Sequence, residues 1–255
     1  MTLLRARELN VGIGAVRVAD RLDFDLAAGE RLVILGRNGA GKTTLLTTLA
    51  GLRLPAAGAI ELCGQPYAAL GPRQAARLRG LLSQGQHDAF QSTVLETALI
   101  GRHPHLGRWD WEGREDERLA HTALAAVGLS GLDARAVHTL SGGERQRLAI
   151  AALLTQQPQL YLLDEPLAHL DLNHQIAALD LFSRRAREDG AGIIMALHDI
   201  NLALRHADRA LLLFGEGRTL EGPADEVINA DTLSRLYGHP LRELIDGGQR
   251  YFVPA

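Results

Sequence analysis

Lysine is the residue this chain uses most sparingly, and its position points to chemistry. Of 27 basic residues, only Lys42 is a lysine. An arginine-biased chain should keep a compact, flexible point charge only where a planar guanidinium fork cannot serve. Lys42 lies in GRNGAGKT, residues 36–43, which fits the spacing G-x-x-x-x-G-K-[ST]. From this chain's composition, the chance that its one lysine carries those neighbours by accident is roughly one in a thousand. The glycines let backbone N–H groups curl around phosphates, and a helix starting there adds its positive dipole end. Lys42 would bridge the β- and γ-phosphates of a nucleotide, and the Thr43 hydroxyl would ligate Mg²⁺.

Two carboxylates and a histidine make up the second group. The apolar run 160–163 ends on Asp164 and Glu165, and the run 192–197 ends on His198. Alone, an Asp-Glu pair reads as a solvated acidic turn and a lone histidine as a satisfied surface residue. Placed after buried strands, they would converge with Lys42 at the carboxyl edge of a parallel sheet, where ligands bind. Asp164 would then hold Mg²⁺ through water, Glu165 would act as general base towards the attacking water, and His198 would contact the γ-phosphate. Ser141-Gly-Gly-Glu144 spells a capping box at a helix start. Two glycines just inside a helix cost stability, so the segment reads equally as a plain N-cap or as a second anion site approached closely by another group.

The elements that must position these groups are legible too. Residues 31–35 form a short β-branched run, hence a buried strand, and residues 43–49 before Gly51 form a helix with a stop. Leu22, Phe24 and Leu26 alternate with Asp23 and Asp25, which predicts an antiparallel strand with one wet face. From Gln84 to about Gln157 the pattern turns helical, at 96–100, 115–127 and 144–154. Residues 210–222 read as strand, Gly-rich turn and strand, and 231–237 as a short closing helix.

Composition bounds the rest. A 46% hydrophobic chain with net charge −3 is an ordinary globular one with no positive field to draw nucleic acid. The single Cys63 permits neither an internal disulfide nor a cysteine zinc site. No apolar stretch approaches the roughly 18–20 residues of a membrane span, and the N-terminal residues lack a secretory pattern. A cytoplasmic location is expected.

Taken together, GRNGAGKT, LSGGERQ (140–146), LYLLDEP (160–166), LAHLD (167–171) and the strand-end His198 resemble the ATP-binding subunit of an ABC transporter along nearly the whole chain. The resemblance implies an α/β fold: a RecA-like P-loop NTPase core (about 1–84 and 157–222) with an accessory antiparallel β-sheet. A helical subdomain is inserted at about 85–156, and a short tail follows at 239–255. ATP with Mg²⁺ would be gripped by Gly36, Asn38, Gly39, Ala40, Gly41, Lys42, Thr43 and Thr44. Gln84 would join Thr43 and Asp164 as a metal ligand, and Glu165 and His198 would be catalytic. Ser141, Gly142 and Gly143 would complete the site of an opposite subunit, so that a head-to-tail homodimer sandwiches two ATP, and Asp171, matching the loop that links the two sites, would also bind nucleotide. Integral membrane permease subunits, contacted through residues 85–93, and indirectly a substrate-binding protein would be the partners, with the chain peripheral on the cytoplasmic face and no nucleic acid involved.

Residues 101–106, 171–175 and 233–238 are similar to the ATPases of ferric siderophore, haem and cobalamin importers. His103 and His105 flank a proline and supply at most two metal ligands, so a loop cap is expected of them. Ile13 stands where the family places an aromatic on adenine, giving apolar contact without stacking. Trp109 and Trp111 read equally as a docking patch or a self-anchored loop. The alternative functions are a non-transport ABC ATPase that reshapes a soluble or nucleic-acid partner, and a P-loop kinase. Against the DNA-repair version of the first, only about a hundred residues separate the phosphate loop from residues 140–146, without the sustained heptads of a long coiled coil, and the second leaves residues 140–146 unexplained.

Overall fold

The apolar runs around 33, 162 and 194 become strands buried along both faces, which requires a sheet covered on each side. The computed structural model describes residues 1–83, 92–107 and 109–255. In chain order the strands are β1 (Thr2–Ile13), β2 (Val16–Ala27), β3 (Arg31–Gly36), β4 (Ala57–Leu62), β5 (Gln65–Pro66), β6 (Arg79–Leu82), β7 (Leu160–Asp164), β8 (Gly192–Ala196), β9 (Arg209–Gly215), β10 (Arg218–Pro223), β11 (Leu241–Asp246) and β12 (Gln249–Pro254). The helices are α1 (Lys42–Leu49), α2 (Tyr67–Leu78), α3 (Val94–Leu99), α4 (Arg114–Ala126), α5 (Gly142–Gln156), α6 (Leu172–Asp189), α7 (Ile200–His206), α8 (Ala224–Val227) and α9 (Ala230–Tyr237).

The main sheet runs β10-β9-β3-β8-β7-β6, with β9, β3, β8, β7 and β6 parallel and β10 antiparallel at one edge. Because successive side chains point to opposite faces, β3 feeds two cores. Leu32 and Ile34 face the accessory sheet β2-β1-β4-β5 and α1, together with Leu45, Leu46 and Phe24. Val33 and Leu35 face the other side, with Phe182 of α6 and the inserted helices α3, α4 and α5. The alternation of Leu22, Phe24 and Leu26 against Asp23 and Asp25 holds: the apolar set is buried, and Asp25 pairs outward with Arg5 and Arg7 at 3.1 and 2.9 Å.

One element carries no expectation from the sequence, and one differs from its expectation. Residues 67–78, with Gly71 and Pro72 in their midst, form a helix kinked at Gly71, where φ is +71°. Arg73 and Arg77 tie it to the carbonyl of Pro104 at 3.1 and 2.7 Å. The segment read as a tail folds into the hairpin β11–β12, turning at Gly247-Gly248 with Phe252 buried in the core. Gln84 and most of 85–93 lie outside the described residues.

Candidate functional site

Strand β3 stops at Gly36 and α1 starts at Lys42, and the loop between them closes only with glycine. Gly41 has φ +96°, and a Cβ there would stand 2.4 Å from Val18 Cγ2. Nothing can move to relieve that overlap cheaply, because Val18 is wholly buried in the accessory sheet. Lys42, 6% exposed, folds back on the loop: Nζ donates to the carbonyls of Gly36 at 3.1 Å and Arg37 at 3.5 Å. Burial holds its pKa below the usual lysine value, against the pull of the Glu165 and Asp164 charges.

The parallel register brings the strand-end groups to the same edge, since Asp164 ends β7 beside Ala196 of β8. Asp164 is 2% exposed, and neither carboxylate oxygen has a hydrogen-bond partner among the described residues. Burial pushes its pKa up, and the nearby Thr43 hydroxyl, which makes no full hydrogen bond to it, is the strongest influence the other way. An orphaned buried carboxylate beside a threonine hydroxyl is the oxygen donor set that a hard divalent cation takes, so the residues fit Mg²⁺. Glu165 sits at φ +50°, a left-handed backbone that costs a side-chain-bearing residue about 1–2 kcal/mol. Its Oε1 lies 2.6 Å from His198 Nε2.

Lys42, Thr43, Thr44, Glu165 and His198 share a cleft of about 420 Å³ with Asn38, Gly39 and Gly41, opposite an apolar wall of Ile13, Val16 and Val18. Gly36 and Ala40 do not line it; a Cβ on Gly36 would stand 3.2 Å from the Ala40 Cβ behind the loop. The apolar wall extends the Ile13 expectation. Val16 and Val18 are brought beside Ile13 by the β1–β2 pairing, and their signal was two apolar residues closely following the Gly14 turn. A larger hollow of about 620 Å³ lies by Tyr161 and Arg185 at the opposite end of the strands, away from these groups.

Other expected site residues stand apart from this cleft. Ser141 caps α5, its Oγ accepting from the Glu144 N–H at 3.2 Å while Glu144 Oε2 accepts from the Ser141 N–H at 2.8 Å. The close approach expected at the paired glycines comes from within the chain, because a Cβ on Gly143 would stand 3.0 Å from the His169 carbonyl. Asp171 caps α6, accepting from the His174 N–H at 2.9 Å and meeting His174 Nδ1 at 2.8 Å. These bonds hold its carboxyl below the usual range. None of Ser141, Gly142, Gly143 and Asp171 lines the Lys42 cleft. Gln146, which sequence reasoning left without a role, joins the two regions by donating to the Pro166 carbonyl at 2.9 Å.

His105 Nε2 meets the Gln156 carbonyl at 2.9 Å, where the loop packs on α5, as a loop cap would. No group of three metal-ligating side chains forms among the described residues. Trp109 and Trp111 are 85% and 87% exposed.

Comparison with known proteins adds three findings. A family model described as ABC transporter matches residues 19–168. A hemin import ATP-binding protein, HmuV of Nocardia farcinica, is 44% identical over 94% of this chain and 84% of its own length; the ferric enterobactin transport ATP-binding protein FepC of Escherichia coli is 39% identical over 92% and 87%. A solved inward-facing ABC transporter assigned to the metal-chelate type superposes with a TM-score of 0.87 at 29% identity, covering 100% of this chain and 98% of the other.

Proposed function

The chain belongs to the ABC transporter family, and on that premise we propose that it is the ATP-hydrolysing subunit of a membrane importer for a ferric siderophore, haem or cobalamin. The observation that carries this reading is the convergence of Lys42, Glu165 and His198 on one cleft, with Asp164 orphaned beside it.

Each residue has a task in hydrolysis. Lys42 exchanges its two loop carbonyls for the β- and γ-phosphate oxygens, which suit its charge better. The backbone N–H groups of 38–44 and the start of α1 hold the remaining phosphate oxygens. Ile13, Val16 and Val18 cover adenine by apolar contact. Glu165 takes a proton from the attacking water onto its carboxylate, and His198 holds that carboxylate in line from 2.6 Å before meeting the γ-phosphate. Thr43 and Asp164, with Gln84 as a further ligand, would hold Mg²⁺, which would supply neutralisation of the charge on the phosphates.

Ser141, Gly142 and Gly143 serve a second copy, with Asp171 on the loop that links the two sites, and two ATP molecules are sandwiched in a head-to-tail homodimer; that all four stand outside the cleft of their own chain supports this reading. Closure on ATP and reopening after hydrolysis drive the permease, whose contact is residues 85–93, and a substrate-binding protein delivers the cargo from outside. No helix among the described residues is long and apolar enough to cross a membrane, which fits a subunit held at the cytoplasmic face by its permease. The names of the relatives, hemin and ferric enterobactin import proteins, support an iron-chelate cargo over a soluble-partner role.

Mixed dimers test action across subunits. Lys42→Ala and Ser141→Arg homodimers should both be inactive, whereas a dimer with one chain of each retains a whole site and should hydrolyse ATP. A mixed dimer as inactive as its parents would overturn the reading.

A further inference from the structure

His198 stands between β8 and a helix, α7, of only 7 residues. A helix that short is not stable by itself, so something else must fix the loop 197–199. The Leu197 N–H donates to the Ile34 carbonyl at 3.3 Å and Asp199 Oδ1 caps α7 by accepting from the Leu202 N–H at 2.9 Å, and the C-terminal hairpin adds a hold on the helix itself. Asn201, in the first turn of α7, accepts from the Phe252 N–H at 2.8 Å and donates Nδ2 to the Phe252 carbonyl at 3.3 Å, standing in for a strand partner on β12. Phe252, Tyr237 and Leu241 pack in the same core as Ile200, Leu202 and Ala203. The Tyr237 hydroxyl is buried without a partner among the described residues, with Asp199 the charge it feels.

The hairpin is itself anchored. Arg250 donates to the carbonyls of Asp225 and Ile228 at 2.7 and 3.0 Å and pairs with Glu243 at 2.6 Å, while the Leu241 N–H donates to Ser234 Oγ at 2.8 Å. Simple covering of the core is a poor account of it. Five of the six β11 residues are exposed and Phe252 is the one buried side chain of β12, so the two strands cover little of the core. What the hairpin does provide is a directional, two-bond grip on the helix that follows the strand-end histidine.

On the premise of the His198 role proposed above, we infer that the hairpin β11–β12 is a positioning element for the Glu165–His198 pair, acting through Asn201. It holds the first turn of α7, and with it the loop from which His198 reaches Glu165. Neither Asn201 nor Phe252 lines the Lys42 cleft, so both act only through His198.

The test is a double-mutant cycle on the full chain, read by single-turnover ATP hydrolysis, nucleotide binding and thermal melting. Asn201→Ala should slow hydrolysis about tenfold while leaving the affinity for ATP within about twofold, because the phosphate loop is untouched. In a His198→Ala background the same change should cost nothing further. Asn201→Asp keeps the acceptor for the Phe252 N–H and loses the donor, so its rate should fall between the two although a carboxylate in the first turn of α7 does not lower the melting temperature. Wild-type turnover in Asn201→Ala, or the same fold-loss in both backgrounds, would overturn the inference while leaving the role of His198 intact. Wild-type turnover in His198→Ala would overturn that role, and the inference with it.

Discussion

Removing a charge from the heart of the site should make the nucleotide-free protein more stable. Asp164 is 2% exposed with both oxygens unpaired among the described residues, and an ion so placed costs several kcal/mol even after relaxation. Asp164→Asn exchanges that ion for a neutral amide whose unmet hydrogen bonds cost about 1–3 kcal/mol. With the Lys42 charge already relieving part of the ionic cost, a net gain of about 1–2 kcal/mol remains, or roughly 2–8 °C in melting temperature for a chain of this size. The pH dependence follows in sign. Burial raises the folded-state pKa of Asp164, so the folded protein binds this proton more tightly than the unfolded one. That contribution is complete below the ordinary carboxylate range and fades as pH rises through the raised value. Asp164→Asn should therefore gain most at neutral and higher pH and flatten this part of the profile. With Mg²⁺ and ATP at about 100 times the dissociation constant, the wild type should gain about 2.7 kcal/mol. The variant should respond no more to Mg·ATP than to ATP in a chelator. Melting by circular dichroism across the pH range, with and without each ligand, checks all three. A nucleotide-free variant that melts below wild type at neutral pH would mean the carboxylate is paired, and the case for a cation site there would fall.

Other outcomes follow from the same geometry. Gly41→Ala should cost about 2–4 kcal/mol and nucleotide binding, from the left-handed backbone and the overlap with Val18; Val18→Ala should recover part of the stability in urea titrations, and no recovery would place the strain elsewhere. Lys42→Ala should abolish ATP binding by calorimetry, whereas Glu165→Gln should keep it and lose at least about a hundredfold in hydrolysis; hydrolysis at the wild-type rate would mean another base. Tyr237→Phe should stabilise by about 1 kcal/mol, because the hydroxyl it removes is buried without a partner among the described residues; a lower melting temperature would reveal one.

Local chemistry was the legible part of this molecule. The loop around Lys42 could be read because its glycines, its lysine and the strand and helix on either side lie within a few residues of one another. Asp164, Glu165 and His198 could be read because they end runs too apolar for any exposed strand, and a parallel sheet puts such ends on one edge. What stayed hidden depends on contacts between distant segments. The demand for glycine at Gly41 comes from Val18 in another sheet, and the close neighbour of Gly143 is the His169 carbonyl, brought there by loop packing. Asp171 resembles a site-loop residue, and the structure adds that its carboxylate also caps α6 through His174, three residues on. The hairpin was missed although Gly247-Gly248 is a two-residue turn signal, because its strands bury little and so carry no clear alternation.

The central claim is that ATP closes two copies of this chain around shared sites. Light scattering on Glu165→Gln tests it most directly, since this variant should bind ATP without consuming it. The account predicts the mass of one chain without nucleotide and of two with ATP and Mg²⁺, the shift vanishing when Ser141→Arg is added. A single-chain mass with ATP demonstrably bound would contradict it and leave each cleft to work alone.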